Sequence, residues 1–245
     1  REAVITLDDG CFALLGTDPA RHAPFLPAAT VNTPVLQEAA RGLGALNWFP
    51  EHDQVVRKVP MLMVLGGTLV PSLVAETVRL AEGATTIAVR SSTASAETPF
   101  VEETGITSVR IGKHLIPTDR AGQMWLAFTA HDAGRFRSAV DVLEGRVPRE
   151  EIAGRIVLVG ASAPGLFDLR ATPLDTVVAG VEIHAQAVEQ ILGGGMLQRP
   201  DLSTGLEVVF TTLAGLLLAS LVRRSGPVSG AVMGGATLTA VMTAA

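Results

Sequence analysis

Residues 155–197, RIVLVGASAPGLFDLRATPLDTVVAGVEIHAQAVEQILGGGML, decide how the rest of the chain is organised. The apolar run at 156–159 predicts a buried β-strand. Small and turn-forming residues at 160–180 predict a loop. An amphipathic pattern at 181–192 predicts a helix, which the glycines at 193–195 end. Many ligand sites have this order of strand, polar loop and helix, so the loop is the first candidate for function.

The segments that precede this stretch alternate between strand and helix patterns. Turn residues at 66–67 and 112–113 predict two hairpins, and residues 124–128 predict a further strand. Pro71 begins a clear helical pattern that Gly83 ends. Because hairpins join antiparallel strands and strand–helix–strand connections join parallel ones, we expect an α/β fold with a mixed sheet.

Composition excludes several classes of function. The 245-residue chain has a formal net charge of −5, which gives no electrostatic support to nucleic-acid binding. Cys11 is the only cysteine, which excludes an internal disulfide and a cysteine-rich zinc site. We expect no metal and no cofactor, because no second His or Cys stands at ligand spacing from His184.

The end of the chain predicts a transmembrane helical hairpin. Residues 206–222 contain one charge, residues 202–205 can extend the run, and residues 228–245 contain no charge. Arg223 and Arg224 lie between the two runs, and the positive-inside rule places them in the cytoplasm. We expect an extracytoplasmic domain at 1–201 and membrane helices at 202–222 and 228–245, in the inner membrane of a longer protein. A buried helical hairpin in a soluble protein is the alternative.

The 160–180 loop permits a catalytic reading and a structural one. Ser162 follows a strand pattern, as in a nucleophile elbow, and Asp168 and His184 follow in hydrolase order. Pro164 stands where the elbow needs glycine, which favours a structural role for the small residues over catalysis. In the segment 168–175, DLRATPLD, Asp168 and Arg170 are either a ligand-binding rim or staples of the loop backbone. His184 is favoured as a packed or capping residue.

Four blocks occur in one order along the chain: NWFPEHDQVVRKVP at 47–60, PSLVAE at 71–76, IPTDRAG at 116–122 with Trp125, and the opening stretch with its VLVG, TP and GVE-x-HA elements. On these blocks, residues 11–245 resemble the CHASE type-2 domain, the cyclase- and histidine-kinase-associated sensory extracellular domain. Gln54 stands where that family has a turn glycine, so a positive φ at this position would strain the backbone.

The resemblance implies a signal-input region of a membrane receptor. The loop at 168–175 and the helix after it are most similar to the branch whose cytoplasmic output domain is an adenylate or guanylate cyclase. It implies a small-molecule or periplasmic ligand, a homodimer formed through the membrane helices, and no enzymatic activity in this chain. A membrane-anchored serine hydrolase and a ligand-free dimerisation module of a sensor kinase are the alternatives.

Residue roles follow from the same comparison and from the loop chemistry. The candidate ligand contacts are Gly160, Ser162, Asp168, Arg170, Thr172 and His184. Structural or signal-coupling roles are expected for Asp53, Arg57, Gly180 and Glu182. For His52, Asp53 and Arg57, a turn with a paired or solvated arginine is favoured over a functional role.

Overall fold

The computed structural model describes residues 11–91, 105–161, 168–198 and 202–224. The chain divides into two compact units, Arg1–Gln198 and Arg199–Ala245. The first unit has helices α1 (Pro34–Ala39), α2 (Leu73–Ala81), α3 (Ala139–Leu143) and α4 (Gly180–Gly193). Its strands are β1 (Phe12–Leu15), β2 (Phe25–Leu26), β3 (Lys58–Pro60), β4 (Leu62–Leu65), β5 (Thr68–Pro71), β6 (Ile87–Ser91), β7 (Ile106–Ile111), β8 (His114–Pro117), β9 (Gln123–Trp125), β10 (Leu169–Arg170) and β11 (Val178–Ala179).

The largest sheet has the order β1-β6-β7-β8, with β1 parallel to β6 and the other neighbours antiparallel. A second sheet, β2-β4-β5, again combines one parallel and one antiparallel pair. Strands β3 and β9, and strands β10 and β11, form two short antiparallel pairs. The predicted α/β class with mixed sheets is therefore confirmed. Both predicted hairpins are present, as β4–β5 and β7–β8.

Helices α2 and α4 contribute most of the helical part of the core. Their fully buried side chains recur at helical spacing, namely Val74, Ala75 and Val78 in α2 and Ile183, Ala187 and Ile191 in α4. Each such side chain of Val or Ile size contributes roughly 1.5–3 kcal/mol by leaving water. The helices pack on each other and against inward residues of β6, β7 and β8. Helix α4 is thereby packed into the core from Ile183 to Ile191.

Residues 156–159 do not form the predicted buried strand. In the described part of the chain no strand pairs with them, and Ile156, Val157 and Val159 are 43%, 56% and 89% exposed. An apolar run becomes a strand only where a neighbouring strand offers its free N–H and C=O groups. Strand β1 is one edge of the large sheet, and no strand of the described residues lies beyond it, so the prediction of a core strand here is wrong.

The second unit contains helix α5 (Leu202–Arg224). It covers the first predicted span and includes Arg223 and Arg224, which the sequence placed in the connecting turn, so that part of the prediction is wrong. The rest of the predicted turn, residues 225–227, lies outside the described residues. The second predicted span, 228–245, lies outside the described residues. Within the parts of the chain that are described, no helix has the combined length and apolarity that crossing a bilayer requires.

Candidate functional site

A cleft of about 620 Å³ lies between residues 46–54 and strand β10. This volume lies in the range of pockets that hold small molecules. The cleft is lined on one side by Leu46, Asn47, Trp48, Pro50 and Gln54, and on the other by Asp168, Leu169, Arg170 and Ala171. We call it the β10 cleft. It brings together two of the six predicted ligand contacts, Asp168 and Arg170.

The first wall of the β10 cleft is attached to the start of α2. The Ala45 N–H donates to the Pro71 carbonyl oxygen at 2.9 Å, and the Leu73 N–H donates to the Ala45 carbonyl oxygen at 2.9 Å. Gly44 permits this approach, because a Cβ atom there would lie 2.6 Å from the Leu73 Cα atom. The contacting atoms are backbone, which cannot move aside as a flexible side chain can. Residues 46–50 therefore follow a rigid anchor.

The second wall is joined to the first wall and to α4. The Val56 N–H donates to the Ala171 carbonyl oxygen at 2.9 Å, which closes the base of the cleft. Strand β10 pairs with β11, and β11 leads directly into α4. The Gly180 N–H donates to the Asp168 carbonyl oxygen at 2.8 Å. Strand β10 is thereby tied to the first turn of α4.

The turn at 51–54 is held by a paired arginine. The Arg57 Nη2 and Nη1 atoms donate to the Asp53 carboxylate at 2.7 and 3.0 Å, and Nη1 also donates to Glu51 at 2.9 Å. The Arg57 hydrogen bond, helped by the Val55 N–H, lowers the pKa of Asp53 from 3.8 to about 2. Neither residue lines the β10 cleft, so their charges act on each other and shape the turn.

Gln54 has the positive φ, and therefore the strained backbone, that the sequence comparison predicted for this position. Its φ is +64°, the left-handed region where a side chain is disfavoured, and it is the only such non-glycine residue in the described part of the chain. The strain costs about 1–2 kcal/mol relative to a residue in a relaxed region. Gln54 lines the β10 cleft, which places its amide at the candidate site. Strained residues of this kind concentrate at functional sites.

The Asp168 carboxylate lies against the N-terminus of α4. A Cβ atom on Gly180 would lie 2.3 Å from the Asp168 Oδ1 atom, so the carboxylate occupies the space above this glycine. The N-cap residue, Ala179, has no side-chain group that could cap the helix. A negative charge at this position is stabilised by the helix dipole. Asp168 is therefore both a cleft residue and a structural partner of Gly180.

Arg170 is the other charged residue of the cleft, and it is half-buried. Its Nη1 atom donates to its neighbour's carbonyl oxygen, Leu169 O, at a long 3.4 Å. Its Nε atom is buried and has no acceptor among the described residues. Among those residues, no carboxylate lies within ion-pair distance of the guanidinium group. Arg170 therefore has unused hydrogen-bonding capacity next to the open volume.

His184 contacts the cleft through Trp48. The imidazole is 6% exposed and stacks on the indole, with ring centroids 4.2 Å apart and an interplanar angle of 32°. Burial lowers its pKa from 6.5 to about 4, so the ring is neutral near neutral pH. Its Nδ1 atom has no partner among the described residues. The prediction of a packed histidine is confirmed, and His184 supports the Trp48 wall from below.

A ladder of polar side chains on α4 binds the extended segment 125–131. The Gln190 amide accepts from the Ala127 N–H at 2.8 Å and donates to the Trp125 carbonyl oxygen at 3.0 Å. Gln186 accepts from the Thr129 N–H at 3.1 Å and donates to the Thr129 carbonyl oxygen at 3.2 Å. The two amides thus replace the neighbouring strand that the backbone at 125–129 would otherwise need.

Glu182 continues the ladder one turn earlier. Its Oε2 atom lies 2.8 Å from the His131 Nδ1 atom, and its Oε1 atom accepts from Gln186 at 3.4 Å. Glu182, Gln186 and Gln190 are spaced four residues apart, so they form one stripe along the helix. We call these contacts the α4 ladder. Glu182 therefore links α4 to His131, and its predicted coupling role stays a prediction.

The remaining predicted site residues lie elsewhere. Gly160 packs on the start of α4, where an added Cβ atom would lie 2.4 Å from the Val181 Cβ atom. The Thr172 hydroxyl is used inside its own loop, accepting from the Asp175 N–H and donating to the Asp175 carbonyl oxygen, each at 3.1 Å. Ser162 lies outside the described residues. Among those that are described, no group of three His, Cys, Asp or Glu side chains could hold a metal ion.

Several residues at the site have no individual prediction from sequence. Asn47 and Trp48 belong to the first wall, although only the segment 47–60 as a block was distinctive. Gln54 was singled out for its backbone and not as a cleft residue. Gln186 and Gln190 carried a detectable signal, because two amides four residues apart interrupt the apolar face of a core helix. That spacing predicts a shared partner but does not identify the segment at 125–129.

Comparison with known proteins identifies the class of this chain. It is an extracellular sensory domain, a class defined by signal recognition and not by catalysis. In particular, the model of the CHASE2 domain family matches residues 3–222, and the chain belongs to that family. No curated protein and no solved structure matches the sequence.

Proposed function

We propose that this chain is the extracytoplasmic signal-input region of a membrane receptor whose cytoplasmic output domain is an adenylate or guanylate cyclase. One observation carries the proposal: a single helix, α4, contacts the β10 cleft at its first turns and the segment 125–131 along its length. In the sequence, α4 is followed by the predicted membrane segment. A ligand that favours one position of this helix over another shifts the receptor between two output states.

Support for the membrane context comes from the family and from the sequence. CHASE2 domains are extracellular, and the nearly uncharged runs at 202–222 and 228–245 surround an arginine pair. The apolar side chains of α5 between Val208 and Leu217 are exposed, as expected of a helix whose partner is lipid or a second helix. Homodimerisation through these helices is part of the proposal. The inner membrane is the proposed location.

Cysteine labelling tests the proposed topology. Cys11 is the only cysteine, so Cys11→Ser gives a background without a reactive thiol. Leu143→Cys places a thiol on an 86% exposed side chain of α3, and Ser225→Cys places one next to the arginine pair. We expect a membrane-impermeant maleimide to label the Leu143→Cys variant in intact spheroplasts and the Ser225→Cys variant only after permeabilisation.

Detergent-solubilised protein provides the control, because both variants must then react. Reaction of the Ser225→Cys variant but not the Leu143→Cys variant in intact spheroplasts would place residues 1–201 in the cytoplasm and end the proposal. Equal labelling of both variants before permeabilisation would contradict the hairpin.

A further inference from the structure

We propose that the β10 cleft binds a small organic carboxylate, with the carboxylate on the Arg170 guanidinium group and the apolar part of the ligand on the Trp48 indole. This inference rests on the sensory role proposed above and specifies the class of signal. It follows from the balance of charge in the cleft, from the uncommitted donors of Arg170, and from the shape of the first wall.

Of the two charged groups in the cleft, the Asp168 carboxylate already interacts with the N-terminus of α4, whereas the Arg170 guanidinium group has no oppositely charged partner among the described residues. Asp168 and Arg170 are its only charged lining residues among those described. The Asp168 carboxylate lies on Gly180 at the N-terminus of α4, where the helix dipole offsets its charge. Arg170 has one long hydrogen bond to a carbonyl oxygen and no carboxylate partner in the described part of the chain. An anionic ligand therefore matches the remaining charge.

The chemistry of the donor favours a carboxylate. A guanidinium group presents parallel N–H donors that match the two oxygens of a carboxylate, and such bidentate pairs are short and strong. The buried Arg170 Nε atom has no acceptor among the described residues, and a buried donor that stays unpaired is destabilising. A ligand that orders the side chain against an acceptor recovers part of this cost.

The first wall adds an apolar patch to a cleft whose lining is otherwise mainly polar, which favours an anion with a small apolar part. Trp48 is covered on one side by the neutral imidazole of His184, so that side offers no second cation to a ligand. The rest of the indole, with Leu46 and Pro50, gives the cleft an apolar surface on which a ring or short chain can lie. Asn47 and Gln54 add amide groups that can orient polar substituents. Inorganic phosphate would use the arginine but leave this apolar wall uncovered.

The test uses the 245-residue chain in lipid nanodiscs, with Trp125→Phe so that Trp48 is the only fluorophore of its kind. The probes are sodium benzoate, the neutral isostere benzamide, and inorganic phosphate. We expect benzoate to change Trp48 fluorescence saturably, and to bind at least about tenfold more tightly than either other probe. Isothermal titration calorimetry gives the affinities independently.

Variants of the arginine separate charge from geometry. Arg170→Ala is expected to weaken benzoate binding about tenfold or more. Arg170→Lys is expected to retain part of the affinity, because lysine keeps the positive charge but lacks the paired N–H donors of the guanidinium group. Arg110→Ala, on an exposed position of β7, is the matched control and should bind as the parent does. Circular dichroism establishes that each variant is folded.

Any one of these results would overturn the inference: no saturable response to benzoate, equal affinity for benzoate and benzamide, or unchanged binding in folded Arg170→Ala. Tighter binding of phosphate than of benzoate would also overturn it and indicate a phosphate site. These failures are distinct from failure of the sensory role, which cysteine labelling tests without any ligand. A cytoplasmic domain would end the sensory proposal even if benzoate bound.

Discussion

The indole of Trp48 and the imidazole of His184 stack with their centroids 4.2 Å apart, which joins the wall of the β10 cleft to the second turn of α4. The two residues are distant in sequence, and the contact exists only because the segment at 45 is attached to α2 while α2 packs on α4. Both rings can be followed experimentally. Burial lowers the pKa of His184, so its protonation affects stability, and the fluorescence of Trp48 depends on its surroundings.

The buried His184 makes stability depend on pH. Its pKa is about 4 in the folded chain and 6.5 when unperturbed, so between these values the unfolded state binds more protons than the folded state. The free energy of unfolding therefore falls as pH decreases from 6.5 to 4, by on the order of 3 kcal/mol from this group. Urea unfolding at pH 7.5, 5.5 and 4.5 measures it.

His184→Phe is the control for this pH dependence, because it keeps a ring against Trp48 but cannot titrate. The difference between the parent and the variant isolates His184 from the other histidines. Asp53 contributes little at these pH values, since its lowered pKa places most of its effect below pH 3.8, and that effect is the same in both proteins. An identical fall in stability in both proteins would show that His184 is not the responsible group.

Replacing Gln54 by glycine should stabilise the chain. The φ of +64° is disfavoured for glutamine and acceptable for glycine, so Gln54→Gly relieves strain but adds freedom to the unfolded state. We expect a net gain of about 0.5–1 kcal/mol in chemical denaturation. Gln54→Ala removes the same amide and keeps the strain, so it should give no gain. Stabilisation by both variants would assign the effect to the amide instead.

Gly180 and Asp168 should show coupled effects on stability. An alanine Cβ at position 180 would meet the Asp168 carboxylate, so Gly180→Ala must displace that group from the helix terminus. We expect Gly180→Ala to destabilise the parent by about 1 kcal/mol. In an Asp168→Ala background the same change should be neutral or stabilising, because alanine favours a helix by about 1 kcal/mol over glycine. Additive effects in this cycle would refute the contact.

Local sequence signals predicted the elements that local interactions determine. Helix α2 begins after Ser72, whose hydroxyl caps the Ala75 N–H, and the β7–β8 hairpin turns at Gly112 with a φ of +55°. Residues 156–159 have the same apolar character as a core strand, but strand formation depends on a neighbour that the local pattern does not specify. The predicted strand at 124–128 is correct only in its first part, because β9 ends at Trp125. Beyond it, the backbone at 127–129 has no neighbouring strand in the described part of the chain and is bound by glutamine amides of α4 instead.

From the sequence, only the wall of the cleft that contains Asp168 and Arg170 could be predicted. Asp168 and Arg170 stand out because charged residues in a loop after an apolar run are typical of a ligand rim. Trp48 reaches them through tertiary contacts that start at Ala45 and pass through α2 and α4. A tryptophan in an irregular segment gives no local indication of which helix it will contact.

The central claim, that α4 carries an input signal, is tested most directly in the proposed full-length receptor, by the cyclic-nucleotide output that we propose for it. Gln186→Ala with Gln190→Ala removes the four hydrogen bonds to the backbone at 125–129, whereas Gln37→Ala changes an amide on α1, a helix without buried residues.

The double variant is predicted to remain folded, to exchange amide hydrogens faster at 125–129, and to change basal output by about fivefold or more, while Gln37→Ala leaves output unchanged. Unchanged output in a double variant whose α4 ladder has demonstrably loosened would contradict the claim.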